Sequence, residues 1–201
     1  MMSDPGSKEK FLDDPDVRLM LDFCAGNKQA FEQLMTKHYT HILNFIYKHG
    51  IGREASEDLT QEVFIRVYQC AATYKAQAKF LTWLFTIARN ISLNELRRLR
   101  KKTVSLDEPV TEDGSLLSEV VEDKKIQAPG NALMEEERSV SILKAIHELP
   151  ENQKTAVILR RYEDLSYDEI AQTMGLSVKA IKSLLNRAKE NLRDKLAHLL
   201  E

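Results

Sequence analysis

The 201-residue sequence contains little cysteine, glycine or proline. Two cysteines, Cys24 and Cys70, are too few for the disulfide framework of a small secreted protein, and they form no CxxC pair. Seven glycines and five prolines, with 43% hydrophobic residues, are typical of a helix-rich globular protein and suit a sandwich or barrel poorly. The composition therefore predicts an all-α fold, and the free thiols suit a reducing compartment.

The sequence also lacks the segments that would place it in a membrane and the motifs of common enzymes. No apolar run approaches the roughly 20 residues of a membrane helix, and the start, MMSDPGSKEKFLDDPD, has no signal-peptide core. There is no Walker lysine loop, GxSxG elbow or HExxH motif. His38 and His41, with Cys24 as a candidate third ligand, lack the second clustered pair typical of a metal site. We expect a cytoplasmic, non-enzymatic protein without a cofactor.

Neither sign of charge dominates, because 29 basic and 31 acidic residues give a net charge of −2. Any binding to nucleic acid must therefore come from local patches. Apolar residues recur at helical spacing in two long stretches, which are separated by an acidic segment containing proline and glycine. The pattern predicts a disordered tail over 1–16, a helical domain over 17–103, a flexible acidic linker over 104–131 and a second helical domain over 132–201.

The segment LSYDEIAQTMGLSVKAIKSLLNRAKENL, residues 165–192, has the pattern of a helix-turn-helix. Ser166 and Glu169 have the spacing of a capping box that begins a helix, and Gly175 suits the left-handed residue that ends it. Ser177 can cap a second helix, on which apolar and polar residues fall on opposite sides. Basic residues outnumber acidic ones six to two over 179–195. We predict DNA contacts from Ser177, Lys179, Lys182, Ser183, Asn186 and Arg187.

A helix-turn-helix does not by itself specify a function. Repressors, response-regulator output domains and sigma factors all contain one. A solvated helix face is also an alternative for the basic residues. The choice depends on the first helical domain.

Three stretches together resemble the extracytoplasmic-function group of bacterial RNA polymerase sigma factors. They are DLTQEVFIRVYQ (58–69), FLTWLFTIARN (80–90) and LPENQKTAVILRRYEDLSYDEIAQTMGLS (149–177). The resemblance covers both helical domains in the same order and leaves the tail and the linker outside. It implies an all-helical, two-domain sigma factor that binds core RNA polymerase, recognises the −10 and −35 promoter elements and opens DNA at the −10 element. It also implies an anti-sigma factor as a partner.

The resemblance further implies roles for particular residues in the first domain. Asp58, Gln61 and Glu62 share one helix face by their spacing, and the residues implied to contact the coiled coil of the largest polymerase subunit are Asp58, Leu59, Gln61 and Glu62. A loop over 74–79 is implied to capture one unstacked base, and five of the six residues over 97–102 are basic, which suits phosphates. The implied −10 contacts are Tyr74, Lys75, Gln77, Lys79, Phe80, Asn90, Asn94, Arg97, Arg98 and Lys101. We expect Trp83, at helical spacing, to be a core residue.

One departure leaves the promoter sequence open. Lys182 stands where many relatives have arginine, and lysine cannot make the planar bidentate contact that arginine makes with guanine. Two rival functions stay open as well. A conventional operator-binding regulator would bind duplex DNA tightly without polymerase, and a nucleic-acid-processing enzyme would turn over DNA alone.

Overall fold

A computed structural model describes residues 11–105 and 132–197, with side chains described over 11–101 and 138–197. These residues form helices joined by short turns. The N-terminal module, residues 11–105, contains α1 (Pro15–Cys24), α2 (Lys28–Tyr47), α3 (Arg53–Cys70), a 3-10 turn (Ala71–Thr73) and α4 (Phe80–Ser105). The C-terminal module, residues 132–197, contains α5 (Ala132–His147), α6 (Glu151–Arg161), α7 (Tyr167–Met174) and α8 (Val178–Lys195). Since the described ranges contain no strand, the all-α prediction is confirmed.

The first helix begins inside the segment predicted to be a disordered tail. The carboxylate of Asp14 accepts a hydrogen bond from the backbone N–H of Asp16 and caps α1 at 2.9 Å. Asp16 is itself buried, and its two carboxylate oxygens bind Lys37 at 2.6 Å and His38 at 2.9 Å. Residues 11–16 therefore belong to the folded module. Periodicity missed them because a cap and one buried carboxylate leave no apolar repeat, and the earlier part of the tail lies outside the described residues.

The core of the N-terminal module is built where α1 packs on α2, α2 on α3 and α3 on α4. Phe45, Phe80 and Phe85 are fully buried, and the rings of Phe45 and Phe85 lie 5.0 Å apart. Burying a side chain of this size stabilises a fold by roughly 1.5–3 kcal/mol. The aromatic residues therefore fix α4, which carries much of the predicted DNA surface, against α2.

The C-terminal module contains the predicted helix-turn-helix, α7 and α8. The hydroxyl of Ser166 accepts from the backbone N–H of Glu169, whose carboxylate accepts from the N–H of Ser166. Gly175 ends α7 at φ 64°, a left-handed conformation that other residues adopt only with strain. Ser177 then caps α8 through the backbone N–H of Ala180 at 3.2 Å. The capping box, the glycine stop and the second cap are all confirmed.

The predicted boundaries of the linker can be compared with the ends of the flanking helices. Helix α4 continues to Ser105, two residues beyond the predicted end of the first domain, and α5 begins at Ala132, where the second domain was predicted to begin. The predicted flexible linker otherwise lies outside the described residues, so its flexibility stays a prediction.

The two modules pack against each other along two separate lines of contact. Near the start of α4, the hydroxyl of Thr173 donates to the carbonyl of Thr82 at 3.4 Å. Near the end of α2, the ring of His49 contacts the hydroxyl of Thr155 at 3.1 Å. The sequence pattern did not predict this packing, because it depends on residues about a hundred positions apart that follow no local repeat.

Candidate nucleic-acid interface

Helix α8 turns one polar face to solvent. Ile181 and Ala188 on its other side are fully buried, so the helix cannot rotate without exposing its apolar side. The residues predicted to contact DNA are all exposed: Ser177, Lys179, Lys182, Ser183, Asn186 and Arg187. The Ser177 oxygen already caps the helix, but its hydroxyl hydrogen can still be donated. The face has the shape and charge that a major groove accepts.

Tyr167 supports this face in a way that the sequence did not reveal. Its ring lies 5.5 Å from the guanidinium of Arg160 and 5.9 Å from the ammonium of Lys182. Such cation–π contacts stabilise exposed pairs by roughly 0.5–1 kcal/mol. Tyr167 therefore restrains the Lys182 ammonium near the start of the recognition helix. The contact joins α6, α7 and α8, so no local pattern could have predicted it.

The C-terminal half of α4 presents the predicted −10 surface to solvent. The exposed residues there are Asn90, Asn94, Arg97, Arg98 and Lys101. The guanidinium of Arg98 donates two hydrogen bonds, at 2.8 and 2.7 Å, to the buried carboxylate of Glu95. This fork holds Arg98 in one orientation and offsets part of its charge. Arg97 makes a weaker 3.4 Å contact with Asn94, which places an amide and a guanidinium side by side for base and phosphate contacts.

Residues 74–79 form a loop before α4, beside a cavity of about 390 Å³ that we term the loop cavity. The ring of Tyr74 meets Trp83 edge-on at 4.9 Å, and its hydroxyl is buried without a hydrogen-bond partner among the described residues. Burial raises the pKa of Tyr74 to about 12. An unpaired buried hydroxyl costs roughly 1–3 kcal/mol, and the charged neighbours of this one, Asp14 and Cys24, do not line the cavity. The side chains lining the cavity include Tyr74, Lys75, Gln77, Trp83, Thr86 and Gln172.

Phe80 does not belong to the predicted −10 surface. Its side chain is completely buried, and its ring packs 5.6 Å from His38 and 5.9 Å from Trp83. The prediction of a DNA contact by Phe80 is wrong in this fold, because the first residue of α4 completes the core and does not face the loop. Trp83 is half-buried: it packs in the module, as predicted, and also borders the loop cavity.

Lys79 is the one predicted loop residue that is tied to the other module. Its ammonium lies 2.8 Å from the carboxylate of Glu169 on α7. The hydrogen bond from Lys79 to this carboxylate, followed by the charge of Glu169, raises the pKa of Lys79. Burial alone would raise the pKa of Glu169, but hydrogen bonds from Lys79 and Ser166 hold it below its usual value. Both groups therefore stay charged at neutral pH.

The predicted polymerase-binding residues lie on one side of α3. Asp58, Gln61 and Glu62 are exposed, whereas Leu59 is partly buried against the core. Farther along the same helix, Ile65 and Tyr68 are exposed to 56% and 52%. An open groove of about 420 Å³ joins this helix to α4, and its lining includes Leu59, Glu62, Arg66, Asn90 and Asn94. The predicted polymerase face and the predicted −10 face are therefore neighbours.

The sequence did not single out the apolar continuation of this face. We term the exposed stripe formed by Asp58, Gln61, Glu62, Ile65 and Tyr68 the α3 stripe. Its members recur at three- and four-residue intervals, which is the signal that could have revealed it. The spacing of Asp58, Gln61 and Glu62 predicts the acidic end of the stripe, and the same intervals continue to Ile65 and Tyr68.

The candidate metal-binding side chains interact with other groups. The Nε2 atom of His38 lies 2.9 Å from Asp16, and the Nδ1 atom of His41 lies 3.1 Å from Glu163. The thiol of Cys24 donates to the carbonyl of Ala71 at 3.0 Å. Within 11–105 and 132–197, no three side chains of histidine, cysteine, aspartate or glutamate are grouped as metal ligands would be.

Comparison with known proteins identifies both modules. The model of Sigma-70 region 2 matches residues 34–102, and the model of Sigma-70, region 4 matches residues 139–192. The RNA polymerase sigma-H factor of Pseudomonas aeruginosa is 31% identical over 185 residues, which cover 92% of this chain and 95% of that protein. The chain belongs to the sigma-70 family of RNA polymerase sigma factors. The extracytoplasmic-function (ECF) RNA polymerase sigma factor SigW of Bacillus subtilis is 30% identical over 176 residues, covering 87% of this chain and 92% of that protein.

Two solved structures share the sigma-factor fold of this chain. CnrH in complex with the cytosolic domain of CnrY has a TM-score of 0.67 and 21% identity, covering 92% of this chain and 99% of that one. The sigma factor RpoE of Bartonella quintana, in complex with the anti-sigma factor NepR, has a TM-score of 0.62 and 21% identity, covering 83% and 96%. The predicted family, its ECF group and the function in directing polymerase to promoters are confirmed. Over the described part of the sigma factor, no helix is both long enough and apolar enough to traverse a bilayer.

Proposed function

We propose that this sigma factor divides promoter recognition among three surfaces. The α3 stripe docks on core RNA polymerase, the loop cavity and the basic end of α4 engage the −10 element, and α8 reads the −35 element. The observation that carries this assignment is the groove that brings the polymerase-facing side of α3 directly beside Asn90 and Asn94 of α4. A sigma factor needs this juxtaposition, because the melted strand must be held where the polymerase is bound.

The α3 stripe has the chemistry of a docking face. Its acidic end, Asp58 and Glu62, suits a basic partner helix, and its apolar end, Ile65 and Tyr68, offers a surface that loses water on contact. Charge complementarity of this kind sets orientation and the association rate, whereas buried apolar area supplies most of the affinity. We assign the stripe to the coiled coil of the largest polymerase subunit.

The loop cavity suits an unstacked base. A base removed from the duplex costs on the order of a few kcal/mol, which stacking and hydrogen bonding must offset. Tyr74 and Trp83 provide aromatic walls, and the exposed Gln77 provides an amide for a base edge. The exposed Lys75 of the loop can hold a phosphate beside the cavity, and the exposed cations at the C-terminal end of α4 can hold phosphates farther along the strand.

Helix α8 contacts the second promoter element, at −35. Lys182, Asn186 and Arg187 face solvent from one side of a helix whose other side is fixed in the core. Because the two DNA-reading surfaces lie on one chain, engagement of one raises the effective concentration of the other. Neither surface needs high affinity alone, which agrees with the net charge of −2.

Regulation by an anti-sigma factor follows from the family. An anti-sigma partner would have to cover the same surfaces that polymerase and promoter use. The half-polar, half-apolar α3 stripe offers such a partner both charge and apolar area.

Run-off transcription with purified core polymerase tests the proposal. The double variant Asp58→Lys, Glu62→Lys should bind core polymerase at least tenfold more weakly while keeping its affinity for −35 duplex DNA. The control Asp22→Lys, Glu32→Lys makes the same charge change at exposed positions on α1 and α2 and should behave as wild type. A transcript that never depends on the chain would favour the operator-binding regulator, and unchanged polymerase binding by the α3 variant would remove the stripe from the interface.

A further inference from the structure

Three polar side chains form a row along one face of α4. Asn90, Asn94 and Arg98 recur at four-residue intervals, and all three line the open groove between α3 and α4. The row begins with two amides, which can hydrogen-bond base edges, and it ends with a guanidinium. Arg98 therefore continues the row that the two asparagines begin.

The guanidinium of Arg98 is oriented by a buried carboxylate. Its Nε and Nη2 atoms donate to Glu95 at 2.8 and 2.7 Å. The Glu95 side chain is 9% exposed, whereas that of Arg98 is 78% exposed. Because two parallel hydrogen bonds fix the plane of a guanidinium as well as its distance, the buried carboxylate sets the direction in which Arg98 faces solvent.

The paired hydrogen bonds leave one edge of the guanidinium free for a ligand. Arginine has five N–H donors in a fixed planar arrangement, and the bonds to Glu95 occupy the edge formed by Nε and Nη2. The outer edge, formed by Nη1 and Nη2, keeps one outward N–H on each nitrogen. Such an edge matches O6 and N7 of guanine in the major groove. It also matches two phosphate oxygens, so the choice between them depends on charge.

The charge of the Glu95–Arg98 pair favours a base over a phosphate. The carboxylate lies 2.7 Å from the guanidinium and offsets its positive charge. Attraction to phosphates depends on net positive charge, whereas a bidentate contact with guanine depends on the position and plane of the donors. Arg97, one residue earlier, contacts the neutral amide of Asn94 at 3.4 Å and keeps its full charge for a phosphate.

The spacing along α4 indicates where the guanine lies. Arg98 follows Asn90 by eight residues, which is ~12 Å at 1.5 Å per residue of helix. This length corresponds to roughly three to four base pairs at ~3.4 Å per base pair. The loop cavity, which we assign to an unstacked base, borders the opposite, N-terminal part of α4. Arg98 is therefore placed toward duplex DNA, on the side of the −10 element away from the melted strand.

We propose that Arg98, oriented by Glu95, reads one guanine in the duplex just upstream of the −10 element. Arg98 is a specificity-determining residue, and Glu95 is a positioning residue that acts through it. This inference rests on the proposed function of α4, and it adds one base pair beyond those assigned to Asn90 and Asn94.

Selection from random duplex DNA by the holoenzyme, core polymerase bound to the full chain, tests the proposal. Wild type should enrich one G·C pair upstream of the −10 element by about tenfold over the other pairs, as expected for one bidentate contact. Asn90→Ala supplies the register. The preference that it removes should lie roughly three to four base pairs downstream of the guanine. Absence of an enriched guanine from the wild-type selection overturns the proposal.

Two variants separate the reading of the base from its positioning. Arg98→Lys keeps the charge and removes the planar edge, so the preference for guanine should fall about fivefold or more while the salt dependence of binding stays the same. Glu95→Gln removes the charge that offsets Arg98 and disrupts the paired hydrogen bonds. The preference should fall in the same way, but the slope of log affinity against log salt should steepen by roughly 0.9, the value for one added phosphate contact.

A control removes another arginine–glutamate pair of the same module. Arg53 and Glu57 lie 3.5 Å apart on α3 and are largely exposed, so Arg53→Gln with Glu57→Gln should change neither the guanine preference nor the salt slope. Melting temperatures establish that each variant is folded.

Each outcome decides a different point. Full guanine preference in Arg98→Lys overturns the reading by arginine, and full preference in Glu95→Gln overturns the positioning role. An equal loss of affinity for every sequence in Glu95→Gln, without a change in preference, would show a structural role and would likewise overturn it. If wild-type holoenzyme selects no sequence that core polymerase alone does not select, the proposed function itself fails.

Discussion

The two DNA-reading parts of this sigma factor are built in opposite ways. The recognition helix α8 is defined locally: a serine cap, a glycine stop and an apolar stripe within thirty residues aim its polar face at solvent. The loop cavity is assembled from α3, the 74–79 loop, α4 and, across the module boundary, α7. While the two modules are packed together, the polar face of α8 is exposed and the loop cavity is partly covered by α7. Access to α8 therefore does not depend on the packing of the modules, whereas access to the loop cavity does.

The largest expected effect comes from removing side chains of the recognition helix. Lys182→Ala with Asn186→Ala should weaken −35 duplex binding about 30-fold or more, since each lost base or phosphate contact costs about 1–3 kcal/mol. The control Lys28→Ala with Asn44→Ala makes the same chemical change at exposed positions on α2. The loss should be equal in a chain that also carries Thr155→Lys, which adds a cation beside His49 and Lys154 and should separate the modules. A smaller loss while the modules are packed together would mean that α8 is covered as well, and the contrast between α8 and the loop cavity would fail.

Acid should weaken the packing between the two modules around His49 without affecting the recognition helix. The neutral ring of His49 donates from Nδ1 to the carbonyl of Phe45 and accepts at Nε2 from Thr155. Burial, aided by the charge of Lys154, lowers the pKa of His49 to about 4, and burial also lowers the pKa of His147. The groups that face His49 from α4, α5 and α6 are Arg89, His147 and Lys154. All of them are cationic or become so in acid.

The sign of the effect follows from the lowered pKa of His49. Above about pH 6.5 the ring is neutral in both arrangements and contributes nothing to the pH dependence. Below that pH His49 takes up a proton more readily when the modules are separated than when they are packed. The packed arrangement is therefore destabilised relative to the separated one by about 1.4 kcal/mol per pH unit, or up to about 2 kcal/mol at pH 5. Energy transfer between dyes on the two modules should fall from pH 7 to pH 5 in wild type and much less in His49→Gln. An equal fall in both proteins would show that His49 does not control the packing of the two modules.

Loss of the capping box should have a moderate effect on both DNA-reading parts. Ser166→Ala removes the oxygen that accepts from the N–H of Glu169, and loss of such a cap costs about 1 kcal/mol. The melting temperature should fall by about 2–4 °C for a chain of this size. Thr40→Ala, at an exposed position within α2, is the matched control. A variant as stable as its control would show that packing, and not the cap, fixes the start of α7.

The smallest effect is expected from the ion pair beside the loop cavity. Glu169→Gln keeps the capping box, which accepts glutamine, and removes the charge that holds Lys79. The Lys79 side chain is 58% exposed and that of Glu169 20%, so the pair contributes at most about 1 kcal/mol. Oligonucleotide binding at the −10 surface should rise no more than about fivefold, and the gain should fade at high salt. Asp168→Asn, one residue away, should change nothing, and a gain equal to that of Glu169→Gln would point to bulk charge.

The sequence predicted features that depend on local spacing and missed those that depend on contacts between distant segments. Caps, the glycine stop and the two faces of α8 depend on spacing within one or two turns, and they were predicted residue by residue. Phe80 was misplaced because its neighbours in the loop are exposed, and only tertiary packing with His38 reveals that its ring is in the core. Gln172 and Thr155 could not be assigned at all, because their partners lie in the other module and the pairings have no periodicity.

Helix α4 touches the C-terminal module near both of its ends, through Thr82 and through Arg100. The 18 helical steps from Thr82 to Arg100 separate these points by ~27 Å at 1.5 Å per residue. A rigid helix that is fixed at two distant points cannot rotate about either contact. Breaking one contact alone therefore gives the chain little conformational freedom. Separation of the modules should therefore be two-state: intermediates with only one of these contacts broken should be scarce.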